Sequence, residues 1–147
     1  MKKLLLLVII VLAVVIYCFS SNWGIVKPFT GDLDQSVDTI RAGYDLNGLA
    51  QTEELNKVAQ AKCDDMVTRN YLSHENLEGK MVWEGTYQYT YAGENIAHGY
   101  SNAYDVARAW LNSEEHKANL LSTNFTQVGY GVCHDDKHYK IVQVFKG

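Results

Sequence analysis

Between Val128 and Phe145 the chain spells out a β-hairpin. Val128, Tyr130 and Val132 alternate with small residues, Asp135-Asp136-Lys137 reads as a turn, and Tyr139 to Phe145 resumes an extended, β-branched pattern. The interposed Gly129 and Gly131 lose more conformational freedom in a strand than any other residue would. They therefore mark a face where another element comes very close to the backbone. The segment Thr52 to Asn70 supplies a partner for that face. Thr52 can cap a helix, Glu53 and Glu54 suit its positive end, and Leu55, Val58, Ala59, Cys63 and Met66 form one apolar stripe. The small residues Ala59 and Ala61 allow close approach to a sheet.

The remaining elements follow from local signals. Asp34 to Tyr44 reads as a short first helix ending in the turn chemistry of Asp45-Leu46-Asn47-Gly48. Asn102, with Asp105 three residues on, caps a helix through Ala103, Val106, Ala107, Trp110 and Leu111. Ser113 then caps a second short helix with Glu114 and Glu115 in its first turn, which aims His116 from a fixed position. Tyr71 to Tyr100 carries few periodic signals and reads as loop, the kind of segment that carries functional side chains on a rigid scaffold.

A length of 147 residues gives one domain with an ample core. A formal net charge of -4, with no Lys/Arg block in the folded part, excludes a phosphate-tracking surface, so no nucleic-acid partner is expected. Met1-Lys2-Lys3 and the apolar run from Leu4 to Tyr17 have the layout of an export signal. Residues 1–19 are read as a signal peptide or an uncleaved N-terminal membrane anchor. The end of the run lacks a small-x-small cleavage site, yet the run falls short of the ~20 residues of an ordinary span. Cys18 reads as a membrane-embedded thiol, because bulky Tyr17 fits a lipid-attachment box poorly. Residues 20–35, with Gly24, Pro28 and Gly31, read as a linker, and 36–147 as the domain. Export permits a Cys63–Cys133 disulfide; two buried free thiols fit the sequence equally well.

Six segments in order carry a resemblance. They are Asn47-Gly48-Leu49, Ser73-His74, Gly93-Glu94-Asn95-Ile96-Ala97, Trp110 with Ser113-x-x-His116, Val128-Gly129-Tyr130-Gly131-Val132 and Gln143-Val144-Phe145. Together they resemble the CAP superfamily (cysteine-rich secretory, antigen 5 and pathogenesis-related proteins) in its compact bacterial branch, over roughly Ser36 to Phe145. The resemblance implies an α+β fold, a three-layer α-β-α sandwich with an antiparallel sheet and helices on both faces. It also places His74, Glu94 and His116 in one cleft, where eukaryotic members complete a tetrad with a second glutamate; here Ser113 stands at that position. By family, the expected role is an extracytoplasmic binding module for an envelope component, peptide or lipid. The competing expectation is a metal-assisted hydrolase.

Two neutral imidazoles and a carboxylate, His74, Glu94 and His116, can hold zinc or another divalent metal with a fourth position open. No local spacing supports such a set, and a hydrogen-bonded polar cluster competes with it. A Ser113–His116–acid nucleophilic set lacks the strained Gly-x-Ser-x-Gly turn, and Cys63 and Cys133 lie in apolar patterns where thiols are inert. His98, just after the Gly93 to Ala97 motif, can line the cleft, whereas His134 and His138 flank the hairpin turn as ordinary exposed residues. Trp83, Tyr87, Tyr89 and Tyr91 pack over the sheet or, on the sharper reading, offer a stacking face to sugar rings or an apolar ligand. Asn124-Phe125-Thr126 matches a glycosylation sequon too short to weigh.

Overall fold

The computed structural model describes residues 29–147. The N-terminal segment 1–19, Cys18 and the linker up to residue 28 lie outside the described residues. Helix α1 covers 29–42, followed by β1 (Ala50–Gln51), α2 (Glu53–Thr68), β2 (Ala92–His98), α3 (Ala103–Asn112), α4 (Glu114–Leu120), β3 (Gln127–His134) and β4 (Tyr139–Lys146). The sheet order is β1-β3-β4-β2. The hairpin β3–β4 and the β2–β4 pair are antiparallel, but the short β1 runs parallel to β3, so the sheet is mixed rather than wholly antiparallel. Among the described residues no helix is long and apolar enough to cross a membrane.

Alternation along the hairpin sorts the core into two layers. Val128, Tyr130, Val132, Ile141 and Phe145 face α1, α3 and α4, where Leu33, Val37, Val106, Trp110 and Leu120 are buried against them. Val142 and Val144 face α2 and meet Leu55, Ala59, Cys63 and Met66. Helices thus cover both faces of an α+β sandwich. Each fully buried large aliphatic side chain, such as Leu55, contributes about 1.5–3 kcal/mol.

The glycines of β3 decide how close α2 lies. A Cβ on Gly129 would sit 2.2 Å from the Leu55 carbonyl carbon, and one on Gly131 would sit 2.4 Å from that of Ala59. That approach lets α2 side chains reach the β3 backbone. Asn56 Oδ1 accepts from Tyr130 N at 2.9 Å, and Gln60 both accepts from Val132 N and donates to Val132 O at 3.1 Å. β1 occupies the same edge of β3 for only two residues; the two amides close the rest of it. Ala61, in contrast, is exposed and plays no part in the approach. Cys63 and Cys133 are joined in a disulfide between α2 and the end of β3, with a Cα–Cα distance of 5.8 Å.

Two further expectations change. Residues 29–35, read as linker, are helical, and Leu33 is wholly buried, so the first helix begins well before Asp34. The Gly93 to Ala97 motif, read as loop, is strand β2 at the sheet edge.

Candidate functional site

Thr52 Oγ1 accepts from Leu55 N and Asn102 Oδ1 from Asp105 N, as their caps require, so α2 and α3 start where the sequence indicates. Ser113 occupies the N-cap position of α4, but its side chain makes no cap bond. Its hydroxyl turns instead to His116, with Oγ 2.8 Å from Nδ1. On the other side of the site, the loop after α2 carries His74, whose Nδ1 lies 2.7 Å from Glu94 Oε1.

The two pairs flank the outer edge of β2. Among the described residues strand β2 pairs only with β4, and its carbonyls at Glu94 and Ile96 are taken by side chains from α3 and α4. Trp110 Nε1 donates to Ile96 O at 3.3 Å, and Asn119 Nδ2 donates to Glu94 O at 3.0 Å. Asn119 also donates to Asn95 Oδ1 at 3.0 Å, while Asn95 Nδ2 donates to His116 O at 3.3 Å and to Gln143 Oε1 at 3.1 Å. An amide network therefore fixes α4, and with it His116, against the strand that carries Glu94. From behind, the buried Arg41 of α1 donates to the carbonyls of Leu120 and Ser122 and holds the C-terminal end of α4.

The Glu94 side chain is 1% exposed and that of His74 50%. Burial raises the Glu94 carboxyl above its ordinary range against the pull of His74 and Lys62, and the bond to Glu94 raises His74. Each group therefore holds its proton to higher pH than its ordinary value allows. Glu94 Oε2 is buried and has no hydrogen-bond partner among the described residues. His116 moves the other way: burial and the charge on His74 lower it, so its ring is neutral at pH 7.

Lys62 is a member of the site that sequence reasoning missed. It is only 6% exposed, it donates to the His74 carbonyl at 2.8 Å, and burial lowers its pKa against the opposing pull of Glu94 and Asp65. A signal was present: Lys62 falls at helical spacing with Leu55, Ala59 and Met66 on the apolar face of α2, where a lysine needs a partner. Tyr71 packs beside it under the Lys62 ammonium and donates to Asp65.

The structure brings His74 to Glu94 and Ser113 to His116, and couples the two pairs electrostatically. It does not gather His74, Glu94 and His116 into one ligand set. Among the described residues, the three ligating groups that come within 4.8 Å of one another are those of His98, Asp135 and His138. Both Nδ1 atoms are engaged in the protein, so each imidazole keeps Nε2 as its remaining ring nitrogen, and Glu94 stands as the hydrogen-bond partner of His74. His98 leaves the cleft for the far end of β2. Tyr87 is buried, while Tyr89 and Tyr91 are exposed, and the Tyr87 and Tyr89 rings meet edge to face with centroids 5.7 Å apart.

The profile of the CAP family, the cysteine-rich secretory protein family, matches residues 35–145. The chain belongs to this family. The uncharacterized protein YkwD of Bacillus subtilis strain 168 is 40% identical to it over 90 residues, 58% of this chain and 35% of that protein. The chain thus matches only about a third of that relative's length. Among solved structures, an extracellular protein containing an SCP domain from Bacillus anthracis superposes with a TM-score of 0.73 at 32% identity, covering 82% of this chain and 41% of that one. An outer surface protein of Borrelia burgdorferi superposes with a TM-score of 0.71 at 24% identity, covering 78% and 88%, a likeness of fold. In this CAP chain, Trp110 and Asn119 close the sheet edge beside Glu94, and the paired glycines of β3 seat α2.

Proposed function

We propose that this CAP chain is an extracytoplasmic binding module whose cleft, formed by His74, Glu94, Ser113 and His116, recognises an envelope component, peptide or lipid. The observation that carries the reading is the His74–Glu94 pair. A buried carboxylate pins Nδ1 of a half-exposed imidazole, which leaves Nε2 as the ring nitrogen for a ligand. Buried Glu94 Oε2 has no hydrogen-bond partner among the described residues, an unmet acceptor that costs roughly 1–3 kcal/mol. The extracytoplasmic placement is supported by the relatives described as extracellular and outer-surface proteins, and by a disulfide, a bond of oxidising compartments.

The test is co-sedimentation of the full chain with cell-wall and membrane fractions, alongside His74→Ala and Glu94→Gln variants checked for native circular dichroism. Retention by wild type and loss in the folded variants is expected; equal retention of all three would remove the cleft from recognition. A second reading, hydrolysis, rests on Ser113 Oγ lying 2.8 Å from a neutral His116, a donor–base contact of the kind that activates a hydroxyl. Peptide and glycan hydrolysis that survives both Ser113→Ala and Glu94→Gln would end it.

A further inference from the structure

At the far end of β2 the hairpin turn folds back over the strand. His98 is the last residue of β2 and pairs with Lys140 of β4, while Asp135 and His138 flank the tip of the β3–β4 turn. From Glu94 to His98 is four residues, about 13 Å along an extended strand, so this cluster is separate from the cleft. We propose that His98, Asp135 and His138 form a binding site for a borderline divalent transition metal of the zinc class.

The carboxylate is already in place. Asp135 Oδ1 accepts from Lys137 N at 2.9 Å and His138 N at 2.8 Å, and Asp135 N donates to His138 O at 3.0 Å, which closes the turn around it. Its other oxygen, Oδ2, lies 3.6 Å from His98 Nε2 and 2.6 Å from Lys140 Nζ. The two imidazoles meet edge to face, at 68° with ring centroids 5.1 Å apart, and one ligand atom from each of the three residues falls within 4.8 Å of the others. A tetrahedral ion at about 2.0–2.2 Å from each ligand needs them roughly 3.4 Å apart. The approach requires only small rotations of two exposed imidazoles onto a fixed carboxylate. Lys140 and the turn amides hold the Asp135 carboxyl far below its usual range, so it is an anion.

Donor chemistry sets the metal class. Two imidazole nitrogens and one carboxylate oxygen select zinc, nickel or copper over magnesium or calcium, which take oxygen ligands. Exposure leaves room for water to complete the coordination sphere. Lys140 is the built-in competitor: its side chain is 7% exposed, and its ammonium sits on the oxygen the metal would use. Affinity is therefore restrained by Lys140 and rises when that charge is removed.

The test is calorimetric titration of zinc chloride into the untagged full chain in detergent, with folding of each variant followed by circular dichroism. One zinc per chain is expected, weakened at least about tenfold in His98→Ala and in His138→Ala. Binding should persist in His74→Ala/His116→Ala and tighten in Lys140→Met. No zinc uptake by the folded wild type, uptake that survives both His98→Ala and His138→Ala, or uptake lost in the His74/His116 double variant would overturn the assignment. An unchanged Lys140→Met affinity would remove Asp135 from the ligand set and with it the site as proposed.

Discussion

At the scale of single residues, the cleft holds two imidazoles that the fold drives in opposite directions. His74 is raised above its ordinary value of 6.5 by its bond to Glu94, and His116 is lowered from the same value by burial and by His74. Histidine ring-proton NMR titrations should therefore give one midpoint above and one below 6.5 for these two residues. In Glu94→Gln the His74 midpoint should fall; a midpoint unmoved by that substitution would show that Glu94 does not hold the ring. The sign of the linkage follows. His74 and Glu94 both bind protons more tightly in the folded state, so the stability they contribute falls as pH rises from Glu94's ordinary 4.5 and continues to fall through the folded value of His74. His116 acts in reverse, its contribution growing up to 6.5. The three titratable cleft residues were legible in the sequence because each stands in a distinctive motif. Lys62, Asn95 and Asn119 were not assigned roles, because a lysine on a helix or an amide on a strand or helix reveals its partner only once distant segments meet. Ser113 was legible as a cap residue, yet a histidine one turn on competes for its hydroxyl and wins.

At the scale of elements, the contact between α2 and β3 rests on the absence of two side chains. Gly131→Ala puts a Cβ 2.4 Å from the Ala59 backbone, which cannot yield without moving α2, so a loss of roughly 3 kcal/mol is expected. The control is Ala61→Leu on the same helix, exposed and expected to change stability by no more than about 0.5 kcal/mol. Urea midpoints at constant m-value would measure both. Alternating glycines against a helix with a small residue are a pattern that sequence can show, as are the caps of α2 and α3. Strand β2 escaped because Glu94 and Asn95 are polar residues buried in a strand, which breaks the alternation by which strands are read. The start of α1 escaped because Pro28 and Gly31 resemble linker chemistry, although Leu33 and Val37 at helical spacing are core residues. Two-residue β1 has no pattern to read.

For the whole molecule, the two faces and both edges of the sheet are closed by different devices: packed helices on the faces, Asn56 and Gln60 at the β3 edge, Trp110 and Asn119 at the β2 edge. The Cys63–Cys133 bridge spans a sequence separation of 70 and ties α2 to the hairpin. Reduction should lower unfolding stability by about 3–4 kcal/mol, read as the difference between urea curves with and without a thiol reductant. An unchanged curve would mean that the bridge only decorates a contact the glycines already secure. The family fold thus delivers a frame with a polar side-chain cluster at one edge, and the proposed function makes this cluster the place where the chain meets its ligand. Chemical-shift mapping of backbone and side chains reads that out at each residue, with the isotope-labelled chain exposed separately to fractionated envelope material, soluble cell-wall fragments and lipid micelles. One fraction should shift the resonances of His74, Glu94, Ser113 and His116, and His74→Ala should abolish the response. Perturbations confined to other surfaces, or no perturbation by any fraction, would contradict a binding role for the cleft.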